Sequence, residues 1–130
     1  MIEENWTNLA SMFFDQANRL DAKPFLWAKR DRTYAPLTWG ETAEQITALA
    51  KGLRGLGIGA GDRVALVSEN RPEWLIAELA IMAAGGIAVP AYTTNTVEDH
   101  LHILANSGAK AVIVSTGRLA ERVLAAAHRA

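Results

Sequence analysis

Residues 64–92 read VALVSENRPEWLIAELAIMAAGGIAVPAY, and the order of chemical character along this stretch decides the fold. The apolar run Val64 to Val67 meets a polar knot, Ser68-Glu69-Asn70-Arg71. Pro72 then opens a segment that is apolar nearly all round, Gly85-Gly86 stops it, and a second apolar run covers Ile87 to Ala91. Runs of β-formers without polar alternation suit strands buried on both faces, the environment of a parallel sheet. Pro72 near the first position of a helix gives up an amide that has no partner there anyway. A helix this apolar must be buried on most sides, and a glycine pair lets the chain turn sharply out of it. The stretch therefore predicts strand, helix, strand, with the knot at the handover where open α/β sheets bind ligands. Read locally, the knot is structural: Ser68 or Asn70 caps the helix. It supplies no nucleophile, phosphate cradle or poised acid–base pair.

Outward toward the C-terminus the pattern continues. Arg63 to Val67, Ile87 to Ala91 and Ala111 to Val114 read as strands. Helices are expected from Arg71 or Pro72 to Ala84, over Val97–Asn106 behind a Thr96 cap, and over Leu119–Arg129. The order is βαβαβα, a parallel sheet covered on both faces. Outward toward the N-terminus, Thr7 is expected to cap a helix to about Arg19, with Leu9, Met12, Phe13, Ala17 and Leu20 as its apolar stripe. Phe25–Lys29 and Tyr34–Leu37 then form a β-hairpin about a charged turn at Arg30-Asp31-Arg32, and Pro36 marks an edge strand. Thr38-Trp39-Gly40-Glu41 is a capping box. The helix behind it carries Ile46, Leu49, Ala50, Leu53 and Leu56 on one face and stops at Gly57. The expected organisation is α/β: helix, hairpin and helix in residues 1–62, then the βαβαβα unit in 63–130, as one subdomain.

Composition narrows the function classes. Thirteen basic and 14 acidic residues give a net charge of -1, and no basic stripe argues for nucleic acid. The absence of cysteine removes disulfides and thiolate chemistry and fits a reducing, cytoplasmic setting. The N-terminal MIEENWTNLA is acidic and polar where a leader would be basic and then apolar. The uncharged run from Leu79 to Tyr92 is short and broken by Gly85, Gly86 and Pro90, so no transmembrane segment is expected.

Several apparent motifs fail on context. Gly55-Leu56-Gly57-Ile58-Gly59-Ala60 matches G-x-G-x-x-A, but a dinucleotide loop needs a strand before the glycines and a helix after them. Here the order is reversed, and a helix C-terminus repels phosphate. His100 and His102 lie two apart on a helix and face different ways, so they make no joint metal site; a solvent-facing or partly packed role is expected for them. Ser68 lacks the glycines of a nucleophile elbow. Glu98 and Asp99 in a first helical turn offset the macrodipole. The four tryptophans, Trp6, Trp27, Trp39 and Trp74, read as structural. A receiver-like domain would want an acidic cluster at the strand ends, but these end in Ser68-Glu69 and Ser115-Thr116. The expectation is therefore no catalytic, no cofactor-binding and no metal site residue within residues 1–130.

Several pieces taken together, in order, resemble the N-terminal part of the AMP-forming acyl-CoA synthetases of the adenylate-forming superfamily. They are Thr38-Trp39 with Glu41, Leu53-x-x-Leu56-Gly57, Gly61-Asp62-Arg63-Val64-Ala65, Asn70-Arg71-Pro72-Glu73-Trp74, Gly85-Gly86-Ile87-Ala88-Val89-Pro90, and Leu104 with Ser107-Gly108-Ala109-Lys110. The resemblance spans about residues 5 to 116, and ENRPEW with AYTTNT is most similar to the long-chain fatty acid–CoA ligases. It implies a parent reaction in which a carboxylate and ATP, assisted by magnesium, give an acyl-adenylate that coenzyme A converts to a thioester. The family's phosphate loop, adenine-binding segment, ribose-binding Asp, hinge and catalytic Lys have no counterpart in these residues. The resemblance thus implies a scaffold fragment, inactive alone, whose partner is the remainder of the synthetase and which is cytoplasmic, peripheral to a membrane in the full enzyme. The alternative is a stand-alone α/β binding or oligomerisation module, self-associating through exposed apolar surface or a sheet edge.

Overall fold

The computed structural model describes residues 6–130; the first five residues of the acidic N-terminal stretch lie outside the described residues. Helix α1 (Leu9–Leu20) leads into strands β1 (Pro24–Arg30) and β2 (Thr33–Thr38), then helix α2 (Trp39–Gly55). Strand β3 (Arg63–Val67), helix α3 (Pro72–Ala83), β4 (Ile87–Ala91), α4 (Val97–Ser107), β5 (Ala111–Val114) and α5 (Gly117–Ala127) follow in strict alternation. The expected α/β architecture stands, a β-hairpin and helices leading into a βαβαβα unit.

β1 and β2 pair antiparallel across a two-residue turn, with Trp27 opposite Pro36 and Lys29 opposite Tyr34. Asp31 and Arg32 both take positive φ, 49° and 67°, the primed geometry that matches strand twist and that glycine or asparagine usually supplies. The second sheet is parallel, ordered β4-β3-β5, with Ala65 facing Val89 on one side and Val112 on the other. The central strand is buried from Val64 to Val67, which explains its lack of polar alternation. Pro90 falls in β4, an edge of this sheet, where a missing amide is least disruptive.

The sheet is covered on both faces. Val64 joins α1, α2 and α3 in the larger core, with Phe13, Ile46, Leu53 and Ile81 among its buried members. Val67 joins Leu119 and Val123 of α5 in a smaller core on the opposite face. Under the larger core lies an aromatic stack in which Trp39 meets Phe25 at 3.9 Å and Phe13 at 5.6 Å between ring centroids.

The capping box at α2 forms as expected: the Glu41 amide donates to the Thr38 hydroxyl, and the Thr38 amide to the Glu41 carboxylate. A second box, Thr96 with Asp99, starts α4. Other boundaries shift. Asn8, not Thr7, caps α1 through the Ser11 amide at 2.8 Å, because the helix begins at Leu9; Leu9 itself stays exposed. Thr116 caps α5, so that helix begins at Gly117 and ends at Ala127, two residues ahead of the expected span.

The glycine pair does what its position requires. Gly85 has φ 92°. A Cβ on Gly86 would lie 3.0 Å from the Asp62 carbonyl oxygen and 3.2 Å from that of Ile81. The backbone closes tightly here: Gly86 donates to Ile81, Ile87 to Asp62, and Gly61 to Gly85.

Candidate functional site

The carboxyl ends of β3, β4 and β5 bring Ser68-Glu69-Asn70-Arg71, Tyr92-Thr93 and Ser115 to one end of the sheet. The chain leaves β3 toward α3 on one face, and leaves β4 and β5 toward α4 and α5 on the other. Neighbouring strands with connections to opposite faces leave a crevice between them, the ligand position in open α/β sheets. A cleft of about 460 Å³ does lie there, between Ser68–Asn70 and Trp74 on one wall and Pro90–Thr93 on the other. A second cleft, about 720 Å³, runs between β1 and the start of α3.

The knot is not a cap. Arg71 occupies the N-cap position of α3, and its side chain makes no capping bond to the amides of the first turn. The Ser68 hydroxyl donates instead to the Glu69 carbonyl at 2.9 Å. The polar residues form a ladder across three segments. Arg30 of the hairpin meets Glu73 at 3.0 Å, Arg71 meets the other oxygen of Glu73 at 3.0 Å, and Arg71 approaches Glu69 at 3.9 Å. The Ser115 hydroxyl, just past β5, donates to Glu69. The N-cap reading failed because the partners that use these residues are distant in sequence: Arg30 lies 43 positions from Glu73, and Ser115 46 from Glu69. The local signal that was available is the alternation Glu69, Arg71, Glu73.

Electrostatics give the ladder a positioning role. The bond from Ser115, then its own backbone amide, hold the Glu69 carboxyl below its ordinary range. For Glu73 the largest single influence is burial, which pushes the carboxyl up. Its own amide, Arg71 and Arg30 together outweigh it, so the group lies below its ordinary range. Both are carboxylates at neutral pH, each engaged with a donor, and Ser115 points its proton at an anion that is a poor base. The arrangement fixes three segments against one another and offers no general acid, base or nucleophile.

The glycine loop does not fit a nucleotide phosphate. The Gly59 amide donates to the Asp62 carboxylate at 2.8 Å, and Lys110 bridges that carboxylate at 3.2 Å and the Gly57 carbonyl at 3.3 Å. The bond from Gly59 and then that from Lys110 keep Asp62 ionised. A phosphate would face a fixed negative charge.

Two single residues depart from expectation. His102 is exposed, but His100 is only 2% exposed, because it falls on the face of α4 that packs on the sheet. Trp39 packs in the larger core and Trp6 donates to Asp15 at 3.1 Å, while Trp74 is half-buried and lines both clefts. Trp27 is 56% exposed and contributes little to the core. Among the described residues no three His, Asp or Glu are grouped to hold a metal ion, and no helix is long and apolar enough to cross a membrane.

Comparison with known proteins places this parallel unit in a family. Residues 13–130 match the AMP-binding enzymes, and the chain belongs to that family. It is 37% identical over 110 residues to the long-chain-fatty-acid–CoA ligase FadD15 of Mycobacterium tuberculosis, covering 84% of this chain and 18% of that protein. A benzoate CoA ligase from Burkholderia xenovorans superposes with a TM-score of 0.83 and 32% identity, over 96% of this chain and 24% of its own. The N-terminal subdomain of Klebsiella oxytoca NpsA superposes with a TM-score of 0.73 and 28% identity, over 82% of this chain and 27% of its own. The chain thus spans less than a third of each of these relatives.

Proposed function

We propose that this chain is the N-terminal framework of a cytoplasmic fatty acyl-CoA synthetase of the long-chain type. In that reading the whole enzyme joins a carboxylate to ATP, releasing pyrophosphate, and then passes the acyl group from AMP to the thiol of coenzyme A. Magnesium would serve the first half-reaction. The chain's part is to hold the sheet and helices on which the reacting site is built, and it is inactive by itself.

The observation that carries the reading is the family match over residues 13–130 together with the identity to a fatty acid–CoA ligase. Surface area supports it. A folded monomer of 14.0 kDa is expected to expose about 6,700 Å², whereas this chain exposes 8258 Å². Covering by further structure would account for such an excess. The residue chemistry agrees, since every carboxylate at the strand ends is tied into the ladder.

A domain exchange tests the proposal. The chain replaces the matching segment of the Mycobacterium ligase, and carboxylate-dependent ATP–pyrophosphate exchange is measured with palmitate and with benzoate. Exchange with palmitate is expected. A chimera that folds, by circular dichroism, and exchanges with neither acid would contradict the framework role.

A further inference from the structure

Helix α3 is apolar on every side, including the side that its own core leaves open. Ile76, Ala77, Leu79, Ala80 and Ile81 are buried. Trp74, Leu75, Glu78 and Met82 are only half-buried, and at 3.6 residues per turn these four share one arc of the helix. The outer face of a surface helix is normally polar. Helix α2, which packs beside α3, follows that rule with Glu44, Gln45 and Lys51 exposed. The α3 arc breaks it, with three large apolar side chains around a single carboxylate. That carboxylate stands alone. Asp62, Glu69, Glu73 and Glu98 each meet a cation, whereas Glu78 has no hydrogen bond or ion pair among the described residues. Burial alone acts on it and pushes its carboxyl up. A charge partly withdrawn from water without a partner costs the fold stability.

We propose that this arc of α3 seats the rest of the synthetase, and that a lysine or arginine of that further structure pairs with Glu78. The inference rests on the framework reading above and adds to it a face and a charge. Several observations favour this occupant. The chain covers 18% of the Mycobacterium ligase and 24% of the Burkholderia one, so most of such an enzyme is available to dock. Apolar side chains around one carboxylate match a surface of apolar side chains around one cation. The arc also begins at the crevice, since Trp74 lines it, and structure seated along α3 would extend the wall of that crevice. A second copy of this chain fits less well. A two-fold contact through the arc would bring Glu78 against its own counterpart, charge against like charge.

Carboxylate labelling tests it, with a carbodiimide and an amine read by peptide mass spectrometry, on the free chain and on the chimera with the Mycobacterium ligase. Glu78 is expected to label in the free chain and to be protected several-fold in the chimera. Glu78→Gln gives a second readout, whose sign depends on where the partner lies. In the free chain it removes a desolvated charge, so the thermal midpoint should hold or rise. In the chimera it leaves a cation unpaired, so the midpoint should fall by several degrees. A fall in the free chain would put the partner within these residues and overturn the proposal. Equal labelling of Glu78 in chimera and free chain overturns it too. So does protection in the free chain that grows with concentration, the mark of a second copy. The two readings fail separately: palmitate exchange without protection of Glu78 removes this inference and keeps the framework role, and protection without exchange does the reverse.

Discussion

His100 buries an imidazole in a closed space between the sheet and the helices, against Ala65, Val67, Ala91, Val112 and Val123. Its Nε2 has no hydrogen-bond partner. Burial is the main influence on its pKa and pushes it down; Asp99 opposes this, and Arg122 adds to it. The folded chain therefore holds this histidine neutral at pH values where the unfolded chain protonates it. The unfolded state binds more protons there, so stability rises with pH. The contribution is fully present above about pH 6.5, the unfolded value, and is lost as pH falls below it toward the depressed folded value. His100→Leu should flatten the stability profile in that window and cost little at pH 8, because it removes a buried polar atom left unsatisfied. Urea midpoints of the two proteins from pH 8 to about pH 5 check this; parallel profiles would refute it. Gly86 makes the opposite point, since there the missing side chain is the requirement. With carbonyl oxygens 3.0 and 3.2 Å from the site of a Cβ, Gly86→Ala should destabilise by about 1–3 kcal/mol, read from the shift of the urea midpoint.

Among the elements, α2 and α3 begin by different means. The start of α2 is satisfied locally by its capping box, and Thr38→Ala should cost about 1 kcal/mol, measured by thermal or urea unfolding. The start of α3 has no side-chain cap; it is pinned by the ladder from Arg30 to Glu69, whose half-exposed pairs are screened by solvent and individually weak. This contrast explains what was legible in the sequence. β3, β4 and β5 were readable to the residue because each is a continuous apolar run with sharp ends, although only the central β3 is buried on both faces while β4 and β5 are half-buried or exposed at the sheet edges. Both boxes are written in four consecutive residues, although only the first was read as a box. The ladder was illegible because its partners come from β1 and from the end of β5, and no local pattern announces them. His100 was hidden for a related reason: a polar residue on a helix declares its surroundings only when the register against the sheet is known. The α1 cap was missed by one position, between Thr7 and Asn8, two residues that cap almost equally well.

At the scale of the whole molecule, the central claim is that the chain supplies framework while the reacting groups of the family's chemistry lie elsewhere. Fold and family were legible together, because the same stretches that build the parallel unit carry the resemblance. A functional site was not, and the strand ends show why they made an ambiguous signal. They hold the polar groups of a ligand crevice, but Glu69, Arg71 and Ser115 are spent on tying the hairpin, α3 and β5 together. The most direct measurement is ATP–pyrophosphate exchange by the purified chain alone, with magnesium and saturated fatty acids, beside an intact long-chain ligase as the positive control. The account predicts exchange at background for every acid; carboxylate-dependent exchange by the chain alone would contradict it.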